Sequence, residues 1–167
     1  MKKIAAIIVL VSLAFAPLAA QTTPDPAIQA AKEKLEVVYD LGRVFGYIHT
    51  MDKEQKKLAL TSTQAKALSA IGAKILATKR LEPATADAWL QEIENKILTD
   101  DQLMFIDGLA LERASESVAG SGTGAGSTTG TSPIQSYLSG GAFNPMLDAT
   151  KTLGKDFKAA YDYLKAK

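Results

Sequence analysis

One five-residue pattern occurs twice in this chain and constrains its fold more than any other feature. Leu-Thr-x-x-Gln stands at 60–64 and again at 98–102. A Thr just before a helix accepts a hydrogen bond from a free backbone N–H of the first turn, and a Gln three residues later can reach back to the N–H of that Thr. The Leu before each Thr can pack on the first turn as a hydrophobic staple. Each copy therefore predicts the start of a helix, and a weaker copy at 81–86 predicts a third.

Apolar residues recur at intervals of three and four after these starts and in the segment before them, which is typical of amphipathic helices. We expect four core helices, at about 27–51, 62–78, 83–97 and from 100 onward. A strand within 44–48 is the alternative for part of the first helix, because β-branched and aromatic residues are frequent there. Gly42 and Gly46 either admit another backbone closely or only loosen this helix. Trp89, the only Trp, is expected at the centre of the core.

The last part of the chain differs in composition from the core segment. Residues 119–132 are almost entirely Gly, Ser and Thr, which predicts a disordered linker because such residues bury too little apolar surface to offset ordering. The pattern from Met146 to Ala166 predicts an amphipathic helix with a basic face. Docking on the chain's own core is the expectation, and binding to an anionic membrane or to a partner is the alternative. Its apolar stripe consists of Leu147, Leu153, Phe157, Tyr161 and Leu164.

The first residues have the form of a secretion signal. Lys2 and Lys3 precede an apolar run at 4–15, and small residues end at Ala20. The run is shorter than the roughly 20 residues of a spanning helix, so we expect cleavage, export to the periplasm or beyond, and no transmembrane segment afterwards. The predicted division is a signal peptide at 1–20, a flexible lead-in at 21–26, a helical bundle at 27–118, the linker at 119–132 and a C-terminal segment at 133–167.

Composition argues against most kinds of chemistry. The chain has no Cys and a single His, His49, so we expect no disulfide, no thiol chemistry, no metal site and no cofactor. No nucleophile and base are found at a catalytic spacing, so we expect that the protein is not an enzyme. Loss of Lys2 and Lys3 with the signal would change the formal charge from +1 to −1. A charge so close to zero argues against nucleic acid as a partner.

The repeated motif in a small, Cys-free, exported helical chain resembles the LTXXQ-motif proteins, which include the Spy-type periplasmic chaperones and the CpxP-type envelope-stress inhibitors. The matching residues are Leu60, Thr61, Gln64, Leu98, Thr99 and Gln102. The resemblance implies a helical dimer with a cradle-shaped client surface, in which the motifs shape helix junctions. The chain departs from the family in having only three Arg, and it is equally similar to other secreted bacterial proteins that begin successive helices with this pattern.

These observations together predict an all-α, exported, non-enzymatic protein of the cell envelope. We expect it to bind unfolded or envelope proteins in a chaperone-like or stress-response role, and the pattern is compatible with a homo-oligomer. The residues that we expect to contact a partner are Trp89, Phe157, Tyr161 and Leu164. The alternative is a structural or membrane-associated envelope protein that uses the C-terminal helix. A third hypothesis, a small hydrolase or ligand carrier, would depend on Trp89 or His49.

Overall fold

A computed structural model of the chain describes residues 25–119 and 133–167. These residues form six α-helices, and the all-α prediction is confirmed for them. The helices are α1 (Pro26–Glu54), α2 (Ser62–Ala77), α3 (Pro83–Glu92), α4 (Asp100–Ala119), α5 (Pro133–Leu138) and α6 (Thr152–Lys165). The predicted signal peptide, nearly all of the lead-in and nearly all of the linker lie outside the described residues and stay predictions.

The long helix α1 is the centre of the fold and contacts α3, α4, α5 and α6. Asp25 caps it by accepting a hydrogen bond from the N–H of Ala27 at 2.8 Å, and Pro26 occupies its first turn, where a missing N–H costs nothing. Phe45 and Ile48 are completely buried within it. The alternative of a strand at 44–48 is therefore wrong, because helical spacing places both side chains on the face that meets the other helices.

The helix α6 docks on α1 and α2 through its apolar face. Phe157 is fully buried and its ring meets that of Phe45 edge-on, with centroids 4.9 Å apart. The glycines of α1 and α2 make room for this packing. A Cβ on Gly42 would come within 3.0 Å of Leu153 Cδ1, and one on Gly72 within 2.6 Å of a Tyr161 ring carbon. Gly42 therefore admits side chains from the C-terminal segment to its surface.

The last helix begins at Thr152, six residues later than the sequence predicts. A 3₁₀ turn at Pro145–Leu147 precedes it, and Leu147 is 43% exposed although it belongs to the predicted apolar stripe. The reason is local. The Asp148 carboxylate accepts hydrogen bonds from the N–H and the hydroxyl of Thr150, at 3.0 and 2.6 Å, and such a turn competes with helix formation.

Two further predictions about the core are wrong. Trp89 lies half-buried at the edge of the core, whose centre is built from aliphatic residues and from Phe45 and Phe157. The predicted end of the first helix, at about residue 51, is also too early, because α1 continues to Glu54 and leaves Asp52 only 7% exposed. Helix α3 also ends differently, in a π-helical turn at Ile93–Ile97.

Candidate functional site

The two Leu-Thr-x-x-Gln motifs lie against each other and join the starts of α2 and α4. In the first, Thr61 Oγ1 accepts from the N–H of Gln64 at 3.2 Å, and Gln64 Oε1 accepts from the N–H of Thr61 at 2.9 Å. In the second, the corresponding distances between Thr99 and Gln102 are 3.4 and 3.0 Å. Both copies thus form the reciprocal capping boxes that the sequence predicts.

The amide groups of the two Gln side chains link one motif to the other. Gln64 Nε2 donates to Gln102 Oε1 at 2.8 Å and to the carbonyl of Ile97 at 2.8 Å. Gln102 Nε2 donates to the carbonyl of Leu58 at 2.9 Å. Gln102 is 4% exposed, and every buried polar side-chain atom among the described residues has a partner. The polar residues of both motifs therefore cap the helices and join them to each other. We name this set of residues the capping joint (Thr61, Gln64, Thr99 and Gln102).

A buried carboxylate connects the first motif to the end of α6. Asp52 accepts hydrogen bonds from the N–H of Leu60, from the hydroxyl of Tyr163 at 2.6 Å and from Lys167 Nζ at 2.5 Å. Burial by itself would raise the pKa of Asp52. The hydrogen bonds from Lys167, Tyr163 and Leu60 outweigh that effect and hold the pKa below its ordinary value. Asp52 is therefore ionised at neutral pH and ties three segments together.

An open groove of about 660 Å³ runs between α1, α3, α4 and α6, and we name it the α1–α4 groove. Its apolar floor is formed by Val44, Tyr47, Leu90, Leu98, Leu103, Ile106, Ala110 and Leu153. Most of these side chains are half-buried, so they pack on the core from below and still face the groove. Its volume is in the range of pockets that bind small ligands, roughly 300–1,000 Å³.

Charged side chains surround this floor. Five carboxylates and two guanidinium groups line the groove, from Glu36, Asp40, Arg43, Glu94, Asp107, Arg113 and Asp156. Arg43 forms ion pairs of 2.6 Å with both Glu36 and Asp40. The guanidinium carbon of Arg113 lies 5.4 Å from the centre of the Tyr47 ring, a cation–π contact. The groove therefore has the apolar centre and charged border that are typical of polypeptide-binding surfaces.

Exposed apolar side chains extend this surface along α4. Met104 and Leu111 are each 72% exposed. They precede and follow the border residue Asp107 by three and four positions, so they lie beside it on the helix surface. Gly108 lies between them, with no atom within 4 Å of the position a Cβ would take. This strip of α4 is thus open to solvent although it carries two large apolar side chains.

His49 lies at a smaller cavity of about 190 Å³, beside Gly46, Thr50, Arg113 and Asp156. Burial and the neighbouring Lys53 ammonium both lower the pKa of His49, which keeps its imidazole neutral at pH 7. Its ring packs against that of Tyr163 at an angle of 52°, with centroids 4.8 Å apart. No hydrogen bond joins it to another of the described residues, so no oriented base–nucleophile pair is present at this position.

The four side chains expected to contact a partner have different surroundings. Phe157 and Leu164 are buried under α6 and have no surface to offer. Tyr161 is half-buried against Gly72, and Trp89 is half-buried on α3 without lining the groove. Sequence reasoning misses the groove itself, because its lining combines α1, the consecutive helices α3 and α4, and α6, which are far from one another in the chain. The only local indication is on α4, where Asp107 and Arg113 flank the apolar positions that point inward.

None of the helices in the described ranges is long and apolar enough to cross a membrane. Within the same ranges, no three His, Asp or Glu residues are grouped so that they could hold a metal ion. Comparisons of the chain with protein-family models, with curated proteins and with solved structures find no match.

Proposed function

We propose that this chain is an exported, non-enzymatic protein that binds a segment of another polypeptide in the α1–α4 groove. The observation that carries this proposal is the combination of an apolar floor with a charged border in one open groove of about 660 Å³. When a partner covers apolar surface that is exposed in the folded chain, removal of that surface from water contributes favourable free energy to binding. The resemblance to the LTXXQ-motif proteins supports unfolded or envelope proteins as the partners.

The shape of the site favours a polypeptide over a small molecule. The groove is open to solvent, whereas small ligands are usually enclosed over most of their surface. Its floor is made of apolar side chains, and its charged side chains come from α1, from the end of α3, from α4 and from α6, so they do not converge on one small molecule. Met104 and Leu111 add apolar surface next to the groove, which enlarges the area that a polypeptide segment can cover.

The alternative of a membrane-associated protein that uses the C-terminal helix receives less support. Phe157, Ala160 and Leu164 are at most 2% exposed, because the apolar face of α6 packs against α1 and α2. Binding a membrane through this face would require α6 to leave the core and to break the contacts of Asp52 with Tyr163 and Lys167. The face that remains exposed is rich in Lys and lacks the apolar side chains that insert into a bilayer.

The test is an aggregation assay with a variant in which the groove is filled. Ala110 is half-buried on the groove floor, so Ala110→Trp places a large side chain where the partner would lie. Ala70 on α2 is exposed and distant from the groove, so Ala70→Trp is the matched control. Aggregation of reduced insulin is followed by light scattering at equal molarity of each protein, and circular dichroism verifies that both variants are folded.

We expect the wild-type protein and Ala70→Trp to suppress scattering equally, and Ala110→Trp to suppress it less than half as well. Absence of suppression by the wild-type protein would remove the chaperone-like function. Equal suppression by Ala110→Trp and Ala70→Trp would place the client-binding surface outside the groove.

A further inference from the structure

The border of the α1–α4 groove carries an excess of negative charge. Its five carboxylates face two guanidinium groups, so the lining side chains have a formal net charge of −3. Arg43 is already engaged by Glu36 and Asp40. The other three carboxylates, of Glu94, Asp107 and Asp156, have Arg113 as the one further cation of the lining, and no ion pair or side-chain hydrogen bond joins any of the three to another described residue.

The position of Glu94 makes this excess unfavourable in the free protein. Glu94 is half-buried at the π-helical end of α3 and faces Asp107 on α4. Loss of hydration raises the pKa of Glu94, and the negative charges of Asp107 and Asp87 raise it further. A positive charge brought to this end of the groove would relieve both effects, because it would replace lost water contacts and offset the repulsion.

We propose that the occupant of the groove is a cationic amphipathic helix of another polypeptide. Its apolar side chains cover the floor at Leu103 and Ala110, and its Lys or Arg side chains pair with Glu94, Asp107 and Asp156. Charge complementarity of this kind selects the partner and speeds association more than it raises the final affinity. This inference rests on the proposed function and adds to it the class of polypeptide that is bound.

The chain's own basic helix does not satisfy this site. The Lys residues of α6 lie on the surface opposite to its buried face, and α6 contributes Leu153 and Asp156 to the groove, as part of its wall. The proposed occupant is therefore a segment of another polypeptide that has the same kind of basic amphipathic pattern as α6.

The test measures binding of two labelled peptides to the purified full chain by fluorescence anisotropy. One is a Leu/Lys amphipathic peptide of about 18 residues, five turns of helix. The other has every Lys replaced by Glu. The border variant is Glu94→Gln with Asp107→Asn. The control, Glu54→Gln with Glu112→Gln, removes the same charge from exposed positions that do not line the groove.

We expect the Leu/Lys peptide to bind and the Leu/Glu peptide to bind at least tenfold more weakly. The border variant should weaken binding of the Leu/Lys peptide about fivefold, because it removes two ion pairs at the border, whereas the control should change it less than twofold. Raising the salt from about 0.15 M to about 1 M should reduce the difference between the two peptides, since exposed charges are screened.

The outcomes separate this inference from the function on which it rests. If both peptides bind equally and Ala110→Trp weakens both, the groove binds polypeptides without charge selection, which overturns the inference and keeps the function. If neither peptide binds and clients are not held, the proposed function fails as well. Selective binding that survives the border substitutions places the cationic site elsewhere. If sedimentation shows that the wild-type protein is a dimer and that Ala110→Trp prevents dimer formation, a second copy of the chain is the occupant and the inference is overturned.

Discussion

The capping joint gives the sharpest test of how this fold is held together, and Gln102→Ala is the substitution that probes it. Gln102 Oε1 accepts from the N–H of Thr99 at 3.0 Å and from Gln64 Nε2 at 2.8 Å, and Gln102 Nε2 donates to the carbonyl of Leu58 at 2.9 Å. Truncation removes all three bonds at a position that is 4% exposed. At about 1 kcal/mol for each bond, the free energy of unfolding should fall by about 3 kcal/mol.

The measurement is urea denaturation followed by circular dichroism. A loss of about 3 kcal/mol corresponds to a midpoint lower by about 1–3 M urea, given slopes of roughly 1–3 kcal/mol per molar for small proteins. Gln91→Ala is the control, because Gln91 is an exposed helical Gln with one side-chain bond to Asp87, and should cost less than about 0.5 kcal/mol. Gln64→Ala combined with Gln102→Ala should cost less than the two single changes together, because both remove the bond that joins the two side chains.

Two results would refute this reasoning. The first is a midpoint for Gln102→Ala that matches that of Gln91→Ala, which would mean that the bonds across the joint contribute no net stability. The second is strict additivity of the Gln64 and Gln102 substitutions. Additivity would mean that the two capping boxes act separately and that the contact between the motifs is incidental.

Three other changes have definite expectations. Gly108→Ala should raise the free energy of unfolding by about 0.5–1 kcal/mol, because Ala favours helix and nothing lies within 4 Å of the added Cβ. Gly154→Ala should lower it by about 1–3 kcal/mol in the same urea denaturation assay, because the Cβ would collide with the carbonyl oxygen of Asp148. Asp52→Asn should cost about 2 kcal/mol at pH 7, less than a fully buried pair, because the freed Lys167 can reach water. Folding lowers the pKa of Asp52, so its contribution to stability is complete above its unfolded pKa of about 4 and is lost as the pH falls through the folded pKa. In urea titrations, the difference in free energy of unfolding between wild type and Asp52→Asn should therefore shrink below about pH 4.

The parts of the fold that the sequence predicts well depend on neighbours within one helical turn. The start of α2 is correct to the residue, because the partners of Thr61 lie three residues away, and Asp25 and Pro26 likewise mark the start of α1. The wrong assignment at the start of α6 also has a local cause. The bonds from Thr150 to Asp148 form within three residues, and apolar spacing alone does not reveal them.

The parts that sequence reasoning misses depend on partners that are distant in the chain. Asp52 reads as a solvated charge because its neighbours are Lys53 and Glu54, yet its partners Tyr163 and Lys167 are more than 100 residues away. The same limit applies to the groove, whose walls come from four helices. The sequence identifies an apolar face on each helix but does not indicate which faces remain uncovered after packing.

The capping joint and the Asp52 cluster share no residue with the groove, and this separation favours a binding role for the groove. The joint at Gln64 and Gln102 fixes the start of α4, and the Asp52 cluster fixes α6 against α1. No residue of either set lines the groove. The side chains of Glu94, Asp107 and Asp156 add no hydrogen bond to the described fold, and burial and nearby negative charge raise the pKa of Glu94, an electrostatic cost that folding alone does not explain. A partner that brings positive charge would convert that cost into affinity, which is why the charge of the bound peptide is the decisive variable to measure.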